Sequence, residues 1–306
     1  MYLGDSRERR NICFAIKSQD CSMREGEPGF ECICDGILKN TPFVLDCMMQ
    51  KIRARRWWFL KHGGTVMKET GEMGTTSDQD FYDKEPVGSL VAHANWMREI
   101  EFYFDAYAAR LDNALIGTSG NAAELGAGSC GLSVCLSRLP SVKQVVALDI
   151  SMVRMKRMIE LSASVLDGNS KKITPIASDF NGRLPFADGE LDVIVFDAAL
   201  HHAQSMWRTL SECRRVLKKG GLLIAQREAY LSPYRAKWQI NKLLRSPEVA
   251  ANVSENIYLK EQYIYYLTVQ GFDVEFMPRS KSSIKNILSL FNGTLYSDGV
   301  LYSRKK

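Results

Sequence analysis

From Asn121 to Asp149 the chain reads NAAELGAGSCGLSVCLSRLPSVKQVVALD, an order that specifies strand, glycine turn, helix, second strand and a terminal acid. Glu124 leads into Gly126-x-Gly128-x-x-Gly131, and Asp149 closes the next apolar run 21 residues after Gly128. Gly126 permits a tight turn after the strand, and Gly128 offers no side chain to keep a ligand from the backbone. Gly131 is expected to let the following helix pack closely on the sheet. A carboxylate at the end of the second strand can accept both hydroxyls of a ribose. Together these features outline a nucleotide-cofactor site, and the glycines alone leave a nicotinamide cofactor open.

Helix and strand keep alternating beyond Asp149. Met152 to Leu166 reads as a helix, Ile173 to Ala177 and Leu191 to Phe196 as strands, about Met206 to Leu217 as a helix, and Leu222 to Gln226 as a strand after Gly220-Gly221. Short apolar strands separated by helices predict an α/β fold, a doubly wound Rossmann-like sheet, mostly parallel and covered on both faces. Ligands of such sheets bind at the carboxyl ends of the strands, so Asp149, Asp179 and Asp197 are expected to share one crevice. A helix from about Lys260 to Gln270, a strand from Phe272 to Met277 and an extended segment from Phe291 to Tyr302 predict an antiparallel carboxy-terminal edge pair.

Upstream, Trp96, Ile100, Phe104, Tyr107 and Leu111 recur at helical spacing between Glu85 and Leu115. Residues 1–84 mix Cys, Gly, Met and charge with little periodicity and read as an amino-terminal appendage to a domain at 85–306. The long connection at 228–258 reads as a lid, in which Arg235, Lys237 and Trp238, with Arg227 just before it, can meet an anionic or cyclic acceptor. The bland reading is a surface helix whose Trp packs down.

The 306 residues are 45% hydrophobic, enough for a large core. The apolar runs are too short to span a bilayer, and the first residues lack the apolar core of a signal peptide, so a cytoplasmic protein is expected. Eight cysteines are scattered without a CxxC pair, so reduced thiols and no metal are expected. Cys32, Cys34 and Cys47, with Cys13 or Cys21, depart from ordinary zinc-knuckle spacing. The net charge of +5 does not by itself imply nucleic acid. One segment, KIRARRWWFLK from Lys51 to Lys61, joins Arg53, Arg55 and Arg56 to Trp57, Trp58 and Phe59. It suits phosphate and base contacts or a membrane surface, but an amphipathic helix docked by its aromatics is the favoured reading.

Four ordered blocks carry a family resemblance: ELGAGSCG, the acid in VVALDIS, ASDFNGRLPFADGELDVIVFDAALHHA, and RRVLKKGGLLIAQRE. In this order and spacing they resemble the class I S-adenosylmethionine-dependent methyltransferases, within which the chain is similar to the small-molecule branch that includes quinone-biosynthesis enzymes. The resemblance implies that Gly126, Ala127 and Gly128 line the methionine portion of S-adenosyl-L-methionine, with Glu124 anchoring the loop or reaching the amino group through water. It implies that Asp149 binds the ribose, Ile150 presses on the adenine, Asp179 accepts from the adenine amino group, and Phe180 contacts the ring. Asp197, Ala198 and Ala199 would border the meeting place of cofactor and acceptor. The carboxylates also have a plainer use as turn or helix caps.

His201 and His202 follow the fourth strand at the open end of the sheet and are the best candidates for a general base, with capping or packing as the other use. Tyr107 and Tyr230 are weaker candidates for shaping the acceptor site. The expected activity is methyl transfer to a small-molecule or glycan-precursor acceptor. An RNA methyltransferase is the alternative, although no Asn-Pro-Pro-Tyr-type motif follows the fourth strand. An NAD-dependent oxidoreductase is the second alternative, which the glycine pattern alone permits.

Overall fold

The computed structural model describes residues 76–84, 90–231, 236–251, 253–278 and 299–306, all within the compact unit Met73–Lys306. The segment Lys51 to Lys61 and the cysteines at 13, 21, 32, 34 and 47 lie outside the described residues.

Seven strands form one sheet: β1 (Asn121–Leu125), β2 (Gln144–Asp149), β3 (Ile173–Ala177), β4 (Leu191–Asp197), β5 (Leu217–Gln226), β6 (Phe272–Pro278) and β7 (Gly299–Lys305). Their order is β3-β2-β1-β4-β5-β7-β6. β1 to β5 pair in parallel, while β7 runs antiparallel to both β5 and β6. β7 alone therefore opposes the other strands, and β6 forms the edge. The expected edge pair is present, with the last strand of the chain inserted inside it.

Burial on both faces explains why the central strands are continuous apolar runs rather than alternating ones. Val193, Ile194, Val195 and Phe196 of β4 are all fully buried. One apolar layer joins Met97, Ile100, Leu111, Leu132, Leu136 and Met155 to one face, and the other joins Leu200, Met206, Leu210, Tyr263 and Leu267 to the opposite face. The first layer is built by α2 (Leu90–Asp105), α3 (Ala108–Leu115), α4 (Gly131–Ser137) and α5 (Met152–Leu166). The second is built by α6 (Met206–Val216) and the helix Lys260–Val269.

Gly131 has a different partner from the one its sequence position suggests. A Cβ there would lie 2.6 Å from Ile100 Cδ1 and 2.9 Å from Met97 Sδ, so the glycine admits α2 onto the start of α4 rather than α4 onto the sheet. Tyr107 also belongs to the core. It is buried, and its hydroxyl donates to Gln226 Oε1 at 2.8 Å, away from the cavity described below.

The helix α1 (Thr76–Lys84) lies on the appendage side of the boundary read from composition, yet it belongs to the unit that starts at Met73. Ser151 at the start of α5 donates from its hydroxyl to Asp83 of α1, and the same hydroxyl caps α5 by accepting from Arg154 N at 3.0 Å. Among the described residues, no helix is long and apolar enough to cross a membrane.

Candidate functional site

The turn after β1 bends back over β2, with Gly126 N and Ala127 N both donating to Leu148 O at 2.8 and 3.0 Å. Gly126 has φ +71° and Gly128 φ +46°, left-handed conformations that favour glycine. Asp149 ends β2 beside this turn. Its Oδ2 accepts from Gly128 N and its Oδ1 from Ser151 N, both at 2.8 Å, so one carboxylate ties the loop to the start of α5. Burial raises its pKa above the usual carboxylate range, and the two amides and Arg154 oppose that rise.

Glu124 does not reach this surface. It is buried behind the loop, and Oε2 accepts from both Ser133 N and Ser133 Oγ, at 2.6 and 2.5 Å. Through Oε2 it ties the end of β1 to Ser133 in the first turn of α4, and it is not among the cavity walls. Burial pushes its pKa from 4.5 up to about 8, against the lowering effect of Ser133. The folded chain therefore keeps a proton that the unfolded chain releases. This group's stabilising contribution is complete below pH 4.5 and is lost as pH rises towards 8, by at most about 1.4 kcal/mol per pH unit. Urea midpoints measured from pH 5 to 8 are expected to fall less steeply in Glu124→Gln than in the wild type.

At the end of β3, Asp179 Oδ1 accepts from Asn181 N and Asn181 Nδ2 at 2.8 and 2.9 Å. Phe180 next to it stands edge-on to Phe196, with ring centroids 5.8 Å apart. At the end of β4, Asp197 is held by three donors: Gln226 Nε2 at 2.9 Å, Arg227 Nε at 2.9 Å and Arg227 Nη2 at 3.2 Å. Both partners of the ion pair are 6% exposed, and Arg227 also lies 4.0 Å above the Trp96 ring. Burial raises the Asp197 pKa despite Arg227. Arg227 is thus committed inside the fold, which overturns its expected role as a lid residue meeting an acceptor.

The turn Leu200–His202 after β4 is organised by Glu228, a residue the sequence reading passed over. Its buried carboxylate accepts from Ala199 N, Leu200 N and His201 N at 3.1–3.2 Å and contacts His201 Nδ1 at 2.8 Å. The position carried a signal, since Glu228 lies two residues past the carboxyl end of β5. His202 Nδ1 lies 2.7 Å from Ser254 O and 3.0 Å from Glu255 Oε2. Burial disfavours the charged form of His202, but Glu255 and Ser254 O outweigh it and its pKa is raised. Burial likewise opposes ionisation of Glu255, and the two histidines overcome it, so its pKa is lowered.

These groups surround one cavity of about 510 Å³, within the range of small-molecule sites. Gly126, Ala127, Gly128, Asp149, Ile150, Asp179, Phe180, Asp197, Ala198, Ala199, His201 and His202 all line it. Further contributors to the walls include Tyr82 from α1, Trp96 from α2 and Arg154 from α5, none of them expected there, and the stretch Val253 to Glu255 from the expected lid. Arg154 lies over the Tyr82 ring at 5.6 Å, and Tyr82 meets His202 edge-on at 6.5 Å.

The insertion at 228–258 touches the cavity through Glu248, Val253, Ser254 and Glu255. Its base is closed by Leu231 N donating to Tyr258 O at 2.7 Å. Lys237 and Trp238 are not among the cavity walls, and Trp238 is exposed with Lys242 over its ring. Arg235 lies outside the described residues. Tyr230 is buried against Tyr263 and Phe276 rather than facing the cavity.

Residues 123–225 match the family model described as a methyltransferase domain. A chloroplastic methyltransferase of Arabidopsis thaliana, itself uncharacterized, is 31% identical over 116 residues, which are 38% of this chain and 32% of that protein. The malonyl-(acyl-carrier protein) O-methyltransferase 1 of Coxiella burnetii is 36% identical over 66 residues, 22% of each chain. The matched regions span a third or less of these two relatives. Among solved structures, a Haloferax volcanii methyltransferase in complex with the Trm112 activator aligns with 72% of this chain and 98% of its own, at 17% identity and a TM-score of 0.46.

Proposed function

We propose that this chain, whose residues 123–225 match a methyltransferase-domain model, is a class I S-adenosylmethionine-dependent enzyme that transfers a methyl group to a small-molecule or glycan-precursor acceptor, leaving S-adenosylhomocysteine. The observation that carries this reading is the shared cavity. The glycine loop, Asp149, Ile150, Asp179 and Phe180 line the same space as His201, His202, Tyr82 and Trp96.

The donor set suits the cofactor. Gly126 and Gly128 carry no side chain that would keep its amino-acid end from the loop. Asp149 can accept from the ribose hydroxyls, Ile150 and Phe180 provide apolar contacts for adenine, and Asp179 can accept from the adenine amino group. Bound S-adenosylmethionine would supply a sulfonium methyl carbon for in-line attack by a nucleophile, with the S–CH3 bond breaking and S-adenosylhomocysteine leaving. The chain aligns the acceptor and excludes water, and alignment alone can contribute ~7–11 kcal/mol. His201 is held through Nδ1 by Glu228 and lines the cavity, where its Nε2 is the candidate to take the acceptor's proton. His202 forms the adjoining wall.

The cavity's charges favour a small acceptor over RNA. Arg154 is the sole arginine or lysine among the described cavity-lining residues, against Asp149, Asp179, Asp197, Glu248 and Glu255. Phosphate backbones are gripped by Lys and Arg, which this wall does not supply.

Isothermal titration with S-adenosylhomocysteine and, separately, NADH tests the reading. S-adenosylhomocysteine is expected to bind, with affinity roughly 10- to 100-fold weaker in Asp149→Asn, the equivalent of about 1.5–3 kcal/mol for a charged hydrogen bond. Binding of NADH alone would overturn the proposal.

A further inference from the structure

Two histidines and a carboxylate converge on one wall of the cavity. His201, His202 and Glu255 each offer a ligand atom, and these atoms all lie within 4.8 Å of one another. His201 Nε2 is 3.6 Å from Glu255 Oε1, and His202 Nδ1 is 3.0 Å from Glu255 Oε2. Atoms each ~2.1 Å from a tetrahedral ion lie roughly 3.4 Å apart, so the two separations bracket an edge of a coordination shell.

His201 is held at its far ring nitrogen by a buried carboxylate, Glu228. Glu228 takes three backbone N–H groups and is an acceptor at Nδ1 as well, at 2.8 Å. The other ring nitrogen of His201, Nε2, lies towards Glu255 Oε1 at 3.6 Å, longer than a hydrogen bond. A carboxylate on the far nitrogen of a histidine is the usual outer support of a metal ligand. His202 Nδ1 lies between two acceptors, Ser254 O and Glu255 Oε2, so a metal ion at this nitrogen takes the place of a ring proton.

We infer that His201, His202 and Glu255, with the Ser254 carbonyl beside them, form a binding site for one divalent transition-metal ion. Two imidazoles and one carboxylate suit Zn²⁺, Mn²⁺, Fe²⁺ or Co²⁺ better than Mg²⁺ or Ca²⁺, which favour oxygen ligands. Sequence spacing had led to the opposite expectation of no metal, because Glu255 joins the histidines only through the fold. A cation at this wall polarises an acceptor oxygen and lowers its pKa. His201 is then a ligand rather than the proton acceptor, so the two uses exclude each other.

The full-length chain, stripped with a chelator, is titrated with Co²⁺ in the absence of cofactor and acceptor, and followed by calorimetry and visible absorbance. The expected result is one Co²⁺ per chain with visible bands but no thiolate charge-transfer band, and at least tenfold weaker binding in Glu255→Gln and in His202→Gln. The thiolate band matters because eight cysteines compete for soft metals. Far-ultraviolet circular dichroism checks that both variants fold. Equal Co²⁺ affinity in wild type and Glu255→Gln, or binding only with a thiolate band, overturns the site. S-adenosylhomocysteine titrated into the same samples separates this inference from the methyl-transfer reading, since either ligand can bind while the other fails.

Discussion

Gly126→Ala is expected to cost about 2–5 kcal/mol of stability and to weaken S-adenosylhomocysteine binding at least tenfold. Two independent effects add at this position. Its φ of +71° lies where an L side chain costs about 1–2 kcal/mol. A new Cβ would also stand 2.7 Å from Ala199 Cβ and 3.2 Å from Phe180 Cε1, both cavity walls. Relief of that overlap moves the loop or the walls, and either movement deforms the surface meant for the cofactor. Gly128→Ala is the control. Its φ is also positive, at +46°, but the nearest foreign atom is Arg154 Cζ at 3.7 Å, so only the backbone strain remains. Thermal denaturation and calorimetry on both variants check the contrast. Equal stability loss in the two would remove the steric argument.

Arg227→Met is expected to lower stability by about 3–5 kcal/mol near neutral pH, because it strands the buried Asp197 carboxylate. Asp197 keeps Gln226 Nε2 at 2.9 Å, but it loses both guanidinium contacts and its only buried counter-charge among the described residues. For a domain of this size the loss corresponds to a melting shift of roughly 6–20 °C. The double variant Asp197→Asn with Arg227→Met is expected to recover much of it, since no unpaired charge is left behind. A double variant no more stable than Arg227→Met would show that packing of Arg227 on Trp96, at 4.0 Å, is the larger contribution.

These two sites differ in how far the sequence revealed them. Gly126 and Asp149 were legible because their meaning is local: a turn after an apolar strand needs a residue tolerant of φ above zero, and an acid ends the neighbouring strand. Asp197 was legible as a position at a strand's carboxyl end, but its partner was misread. Arg227, just before the lid, was offered as an acceptor contact, whereas its side chain pairs with Asp197 and lies over the Trp96 ring, from a backbone with φ +58°. Tyr107 was similarly assigned to the acceptor site and proves to be a core residue whose hydroxyl is satisfied by Gln226. An aromatic at helical spacing looks the same from the sequence whether its tip meets a ligand or a buried amide.

The sequence by itself determined the parallel sheet, the glycine loop and the line of acids at its rim, because strand burial, helix period and the steric needs of a turn act over a few neighbouring residues. Only the tertiary structure decided what surrounds the histidines. Glu228 reaches His201 from 27 residues away, Ser254 reaches His202 from 52, and Tyr82 comes from a helix that precedes the whole sheet. Contacts between such distant segments leave no period in the chain. They follow from which strands lie side by side and from which loops those strands carry to the same end of the sheet.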